Sequence, residues 1–186
     1  MKKLFAGCLL LLVYFNANAQ AKSSRVSFSS ISKVALAVGE TNNALAISCI
    51  NGVQKGNWFA GIGTGIDFYQ KRSVPLFLSV QKEFSTSSQR PFVYADGGVS
   101  FRWLKSDDFM KTNSTSSPGL YYECGLGWKI RFKNNTALLF SAGYSFKQVK
   151  EKANYYWYTT DPLYADTYEQ YNYKYRRVMI RFGLQL

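Results

Sequence analysis

Apolar and polar residues alternate one for one over most of this chain. Leu120, Tyr122, Cys124, Leu126, Trp128, Ile130 and Phe132 share one face, and Tyr121, Glu123, Gly125, Gly127, Lys129 and Arg131 share the other. Val93, Ala95, Val99, Phe101 and Trp103 likewise oppose Tyr94, Asp96, Gly98, Ser100 and Arg102. At the end of the chain Val178, Ile180, Phe182, Leu184 and Leu186 oppose Arg177, Met179, Arg181, Gly183 and Gln185. A period of two marks a β-strand with two unlike faces. It predicts eight strands, over residues 32–39, 44–53, 58–69, 74–84, 92–103, 120–132, 137–149 and 171–186, after a Ser-rich polar lead-in that reaches Ser30. Helical periodicity is weak throughout. Pro75, Pro91, Pro118 and Pro162 sit near strand ends, where a missing N–H costs a ladder least.

Strand length and loop length point the same way. Strands of globular sheets average about five or six residues, and tilted strands that cross a bilayer need about 9 to 11. Most of the predicted strands reach that longer class. The links at 40–43, 55–57, 70–73, 86–90 and 133–135 are tight, and only 104–119 and 150–170 are long. Both long links follow odd-numbered strands, so in a meander they open on one side. Membrane barrels have this arrangement, with short periplasmic turns and longer external loops.

Alternation alone does not say which face is inside. A lipocalin-like soluble barrel turns its apolar face inward, and a membrane barrel turns it toward lipid. The polar face decides for the membrane. It carries Gly61, Gly63, Gly65, Gly98, Gly125 and Gly127 beside Asp67, Asp96, Glu123 and Lys129. Glycine packs nothing on a solvated strand, but it makes room in the crowded interior of a narrow barrel. The apolar face places Trp58, Phe68, Phe84, Phe101, Trp103, Trp128 and Phe132 near strand ends, as in the aromatic girdles of membrane barrels. The apolar last strand, running to Leu186, fits a strand that closes a barrel and removes its edges.

The N-terminus reads as an address. Lys2 and Lys3 precede an apolar run over 4–15, and Ala17-Asn18-Ala19 is a small-x-small cleavage signal, so 1–19 is expected to be a secretory signal peptide and 20–186 the barrel domain. The apolar run is shorter than the roughly 20 residues of a membrane-spanning helix. Phe5-Ala6-Gly7-Cys8 has the look of a lipoprotein box, but it stands too early in the signal. Removing 19 of the 186 residues leaves Cys49 and Cys124 as the cysteines and takes Lys2 and Lys3 from a net charge of +12. The 17% aromatic content excludes a disordered chain. The absence of histidine removes the commonest general base and the usual zinc ligands, so no catalytic residue, cofactor or metal site is expected.

Several segments also resemble a known family. Ile50-Asn-Gly-Val, Trp58-Phe-Ala-Gly-Ile-Gly-Thr-Gly-Ile-Asp-Phe-Tyr69, Arg72-Ser-Val-Pro-Leu-Phe77 and Pro91-Phe-Val-Tyr-Ala-Asp-Gly-Gly98, after a signal ending Asn-Ala-Gln, resemble the small outer-membrane β-barrel proteins common in Bacteroidota. The resemblance implies an eight-stranded antiparallel up-and-down barrel of OmpA/OmpX type, delivered by the barrel-assembly machinery and usually without an assigned activity. Many members end in Phe, whereas this chain ends in Leu186.

Other motifs carry less. Gly61-x-Gly63-x-Gly65 lies within a strand and does not open a helix, so it is no dinucleotide fingerprint. Asn113-x-Thr115 and Asn134-x-Thr136 match a glycosylation sequon but are ordinary loop chemistry. Cys49 and Cys124 are expected as buried, inert thiols and not as a disulfide. The basic residues are scattered, which favours anionic lipid or lipopolysaccharide over nucleic acid as a partner. Asp67, Asp96 and Glu123 are expected to form an interior charge network with Arg102, Lys129 and Arg181, alongside Arg131 and Lys147. In the second long link, Tyr155, Tyr156, Trp157, Tyr158, Tyr164 and Tyr168 form a candidate surface for a glycan, lipid headgroup or protein.

The expectation is thus a monomeric, non-enzymatic outer-membrane barrel with a packed, non-conducting interior and a structural or surface-interaction role. The alternatives are a soluble periplasmic or secreted barrel carrying an apolar ligand, an accessory to envelope assembly or secretion, and an outer-membrane enzyme acting on lipid. The enzyme would need a nucleophile–base pair that the chain does not display. Intact-mass measurement of the exported protein should give a chain that begins at Gln20 without added lipid. A mass retaining residues 1–19 would overturn the signal reading.

Overall fold

A computed structural model describes residues 26–40, 42–103, 115–132, 136–155 and 167–186. Its strands are β1 (Val26–Gly39), β2 (Asn43–Lys55), β3 (Trp58–Asp67), β4 (Ser73–Glu83), β5 (Gln89–Arg102), β6 (Thr115–Ser117), β7 (Gly119–Arg131), β8 (Ala137–Tyr155) and β9 (Thr167–Gln185). Every pairing is antiparallel. Eight long strands follow one another around the sheet, and β9 closes on β1 through pairs from Ile31 with Gln185 to Gly39 with Arg177. The seam is finished by reciprocal backbone hydrogen bonds between Ser30 and Leu186, at 3.0 and 2.9 Å. The fold is a closed eight-stranded transmembrane-type β-barrel, and no helix occurs among the described residues.

The register fixes its shape. Paired residues run from Val26 through Lys55, Trp58, Lys82, Val93, Leu126, Ala142 and Ile180 back to Leu36, ten positions up β1 from the start. Ten residues of stagger over eight strands imply a tilt of about 40°. At that tilt the 10-residue β3 rises about 25 Å, the height of the apolar band of a membrane barrel. The 19 residues of β8 and of β9 rise about 48 Å, so this hairpin stands about 20 Å above the rest.

The faces are inverted relative to a soluble protein. Leu126, Leu78 and Ile62 are 67%, 64% and 60% exposed, whereas Lys129, Lys147 and Glu123 are 1%, 0% and 1% exposed. The apolar face points out and the charged face in. A soluble barrel carrying an apolar ligand would have the opposite arrangement. The interior apolar residues form two patches, one of Ile31, Ile50, Phe59, Phe77, Phe92, Tyr94, Tyr121 and Leu139, the other of Ala35, Ala37, Tyr69 and Met179.

Three expectations need correction. First, β1 begins at Val26, inside the supposed Ser-rich lead-in, because Val26 and Phe28 turn outward and Ser29 and Ile31 inward, continuing the alternation. Second, the supposed long links are partly strand. Thr115–Ser117 pairs with Lys150–Lys152, and β8 and β9 stay paired up to Tyr155 with Thr167. Third, Cys49 and Cys124 are free but exposed on the outer face, because apolar parity in this barrel means lipid-facing and not buried.

Glycines set the interior volume. A Cβ on Gly127 would collide with the Phe92 ring, and one on Gly63 would lie 2.5 Å from the Phe77 ring. The far edges of both rings therefore occupy the space a Cβ would fill. At the β2–β3 turn Gly56 takes a φ of 59°, at the first central position of a two-residue hairpin, which suits glycine. Gly97 faces outward, and a Cβ added to it would meet nothing within 4 Å. Gly127→Val should therefore cost about 1–3 kcal/mol by displacing Phe92, while Gly97→Val should stay within about 0.5 kcal/mol. Urea titrations of the refolded protein, read as loss of the heat-modifiable gel band, check both. Equal effects would refute this account of the interior.

Candidate functional site

The charged interior residues fall into separate clusters stacked along the barrel. Near the short-turn end, Glu83 on β4 accepts from Arg90 Nη1 at 2.8 Å, Lys129 Nζ at 2.5 Å and Gln54 Nε2 at 3.1 Å. Gln185 Nε2 donates to Gln54 Oε1 at 3.0 Å and to Ser29 Oγ at 2.7 Å, which ties this cluster to the β1–β9 seam. Arg90 also donates to the carbonyls of Thr86 and Ser87, at 3.0 and 2.6 Å, fastening the β4–β5 turn.

At mid-barrel, Glu123 accepts from Tyr94 Oη at 2.8 Å, from Tyr121 Oη at 3.1 Å and from Arg181 Nη2. Asp96 lies directly across the β5–β7 ladder from Glu123, with Arg181 Nη1 at 3.8 Å. Lys33 is buried beside them, its Nζ 5.1 Å from the Tyr94 ring centroid. Toward the other end, Asp67 holds Arg177 Nη1 at 2.5 Å and Lys147 Nζ at 3.1 Å, and it accepts from the Tyr69 N–H at 2.9 Å. Arg177 Nη2 donates to Ser145 Oγ at 3.0 Å, and Lys147 Nζ donates to the Tyr69 and Lys71 carbonyls, each at 3.1 Å. At the rim Glu151 pairs with Arg102 at 2.5 Å and Lys71 at 3.3 Å.

Asp67, Asp96, Glu123, Lys129 and Arg181 thus all lie inside, but they do not form one network. Lys129 belongs with Glu83, Asp67 with Arg177 and Lys147, and Arg102 with Glu151 at the rim. Glu83, Asp67 and Glu151 each bridge two cations, which is how a buried carboxylate is held without water. Sequence reasoning missed Lys33, Glu83, Arg90, Glu151 and the role of Arg177. Parity carries the signal for Lys33 and Arg177, which share a face with neighbouring buried residues; Glu83 and Arg90 meet only once the hairpin joining β4 and β5 is known. The cavity between Asp67 and Arg177 on one side and Tyr121 and Arg181 on the other is about 10 Å³, room for at most one water. Among the described residues no group of His, Cys, Asp and Glu gathers that could hold a metal ion.

The other candidate surface is the raised β8–β9 hairpin. Tyr156, Trp157, Tyr158 and Tyr164 lie outside the described residues, and of Tyr155 and Tyr168 the structure describes the backbone, paired with Thr167 and Asn154. It does describe the three tyrosines that continue this Tyr-rich segment in the sequence. Tyr171, Tyr173 and Tyr175 occupy the positions that face inward lower on β9, with ring centroids 6.1 and 6.4 Å apart and planes within 14° and 3°. Tyr175 meets the Tyr69 ring edge-on at 5.6 Å, and Lys71 lies 5.3 Å from the Tyr173 centroid. Gly39 makes this possible, since a Cβ there would collide with the Tyr69 hydroxyl. Beside them a cavity of about 340 Å³ is lined by Glu40, Tyr69, Gln70, Lys174, Tyr175 and Arg176. β9 pairs with β8 along its whole length but with β1 only from Arg177 onward.

No family model matches the chain, and no curated protein matches it. Solved structures do. Neisserial surface protein A (NspA) is similar over 89% of this chain and 99% of its own, at 13% identity and a TM-score of 0.52. The outer membrane protein AlkL matches over 90% and 94% at 13% identity with a TM-score of 0.48, and a de novo designed transmembrane β-barrel over 89% and 98% at 15% identity with a TM-score of 0.39. The likeness to NspA shows a shared fold, that of a small outer-membrane β-barrel.

Asp67→Asn would leave both Arg177 and Lys147 without their shared countercharge and should destabilise the barrel by about 3–5 kcal/mol. Unfolding in urea, followed by Trp fluorescence, measures it. A loss under about 1 kcal/mol would mean that water reaches this cluster.

Proposed function

We propose that this chain is an exported outer-membrane barrel without a catalytic role, which acts through what its outer wall and its raised hairpin contact. The single observation that carries the reading is the inversion of faces. A wall of Leu, Ile, Val, Phe and Trp is stable only in lipid, and the charged interior is closed to both solvent and substrate. Residues 1–19 serve as the export signal. The barrel resembles the Bacteroidota proteins of OmpA/OmpX type, and the barrel-assembly machinery inserts it. Its N-terminus and short turns then face the periplasm, and β8–β9 projects outward. Outer-membrane lipid and lipopolysaccharide surround it as a monomer.

The interior supports a non-conducting barrel, because ion pairs cross the lumen at several heights and the cavity beside Asp67 and Arg177 has room for at most one water. The tyrosines of the β8–β9 hairpin supply rigid, amphipathic contact area, the chemistry of a surface that binds a glycan or a protein. Their pairing with Lys71, and the cavity at their foot, favour a polar ligand over an apolar one.

Three measurements on the mature protein test this. Envelope fractionation with and without boiling should give an outer-membrane band whose gel mobility shifts on heating. Planar bilayers in concentrated KCl should show no steady conductance steps. A chain lacking 154–168 should keep the heat shift but lose binding to a mixed glycan array or to immobilised host-surface protein. A soluble band with no shift would overturn the membrane reading, stable conductance would overturn the closed interior, and unchanged binding would remove the hairpin from the function.

A further inference from the structure

We propose that the outer wall of β7, β8 and β9 holds one bound lipid of lipid A chemistry, with its phosphates on Lys174 and Arg176 and an acyl chain in a shallow depression beneath them. This rests on the membrane orientation proposed above and adds a defined ligand to it.

The first observation is a misplaced charge. On β9 the outward residues Val178, Ile180, Phe182 and Leu184 are apolar, and the next outward residue up is Arg176, followed by Lys174. Following the register around the tilted barrel, the outward residues at the height of Arg176 on the other strands include Val38, Phe68, Val74, Phe101 and Leu120. Arg176 therefore stands at a depth where most of the ring is apolar, with Asn43 beside Val38 as the polar exception. Glu40 lines the same cavity as Lys174 and Arg176, so one carboxylate shares this face with two cations, and at the lipid boundary a phosphate is the anion that supplies the remaining charge. Lys174 stands two positions above Arg176, about 7 Å along β9, so a headgroup carrying two phosphates gives each cation its own anion.

The second observation is independent of charge. Ala142 is the small residue in a row of bulky outward neighbours, with Leu126 and Ile180 paired on either side of it and Phe140 and Trp128 below. The result is a shallow, open apolar depression of about 460 Å³ on the lipid face. The lean of the strands carries β8 and β7 beneath Arg176, so the floor of the depression at Ala142 lies about 13 Å below the guanidinium. A chain descending from a phosphate at Arg176 runs into it. Cations alone would fit any anion, and a depression alone would fit any hydrocarbon. Stacked at this spacing they fit an acylated phosphate, and the two cations, each with its own phosphate, select the bisphosphorylated form.

The test is native mass spectrometry of the full mature chain refolded in detergent, with bisphosphorylated lipid A, phosphatidylglycerol and phosphatidylcholine added in separate arms. One lipid A adduct per chain should survive detergent removal at concentrations where phosphatidylcholine leaves none. The K174Q/R176Q double variant should weaken lipid A retention about thirtyfold, from two headgroup-level cations. Ala142→Phe should weaken it about fivefold by filling the depression, while Ile62→Val on β3, across the barrel, should leave it unchanged. All of these side chains face outward, so the heat shift should persist in each. Equal retention by the variants, or by phosphatidylcholine, would overturn the lipid site. Phosphatidylglycerol held as tightly as lipid A would overturn the two-phosphate assignment. A protein that shows no heat shift at all would instead fail the membrane reading on which the site depends.

Discussion

Closure of the ladder between β1 and β9 is the constraint on which the rest of this molecule depends. In hydrocarbon an unpaired backbone N–H or C=O costs several kcal/mol, so a sheet can cross a membrane only if it has no edge. The pairs from Ile31–Gln185 to Gly39–Arg177, sealed by Ser30 and Leu186, remove that edge. Closing eight strands with ten residues of stagger then sets a radius at which interior side chains touch across the lumen. Dryness follows from that radius, and from dryness follows the need for every interior charge to find its partner within the protein.

The partners are arranged across the barrel and not along its strands. Arg177 on β9 reaches Asp67 on β3, Lys129 on β7 reaches Glu83 on β4, and Arg181 on β9 reaches Glu123 on β7. Compared with apolar packing, such pairs add little net stability. What they add is registry. A slip of one residue in any strand would turn its charges into lipid and its leucines into the lumen, so the pairs penalise every misaligned closure. The glycines are the other half of this arrangement. Gly63 and Gly127 let the edges of Phe77 and Phe92 reach in to the backbone, which leaves the remaining lumen to Lys and Arg stems.

Much of this was legible in the chain itself, and the limits were physical. Period-two alternation located all eight long strands, because each has one face in lipid and one in the lumen, and the two environments demand opposite chemistry. The same alternation, read with glycines beside carboxylates, told inside from outside. Strand ends were less legible. Val26–Ser30 looked like a polar lead-in because the inward positions of a membrane barrel are polar, so serine there is no sign of a loop. Thr167–Gln170 looked like loop for a related reason: once β9 rises above the lipid, its outward residues become Gln170, Asn172 and Lys174, and the apolar half of the pattern vanishes while the strand continues. The charged partners were illegible in a different way. Parity shows that Asp67 and Arg177 both face the lumen, but only stagger decides that they lie at the same height.

The wall made by β8 and β9 departs from the symmetry that closure imposes elsewhere. Below Arg177, β9 is held on both sides and its two faces are as unlike as those of any other strand. Above it, β9 keeps β8 but loses β1, so the inward positions no longer face a lumen. Tyr171, Tyr173 and Tyr175 fill them, and tyrosine is the residue that suits a face half in water and half against protein. The outward positions change at the same point, from apolar to cationic. A single event in the topology, the end of β1 at Gly39, therefore creates both unusual surfaces of the molecule: an aromatic face turned over the barrel mouth and a cationic face turned to the membrane boundary. The chain carries Gly39 where the first surface needs clearance for Tyr69, and Arg176 where the second begins. The two residues stand side by side across the β1–β9 seam, since Gly39 pairs with Arg177.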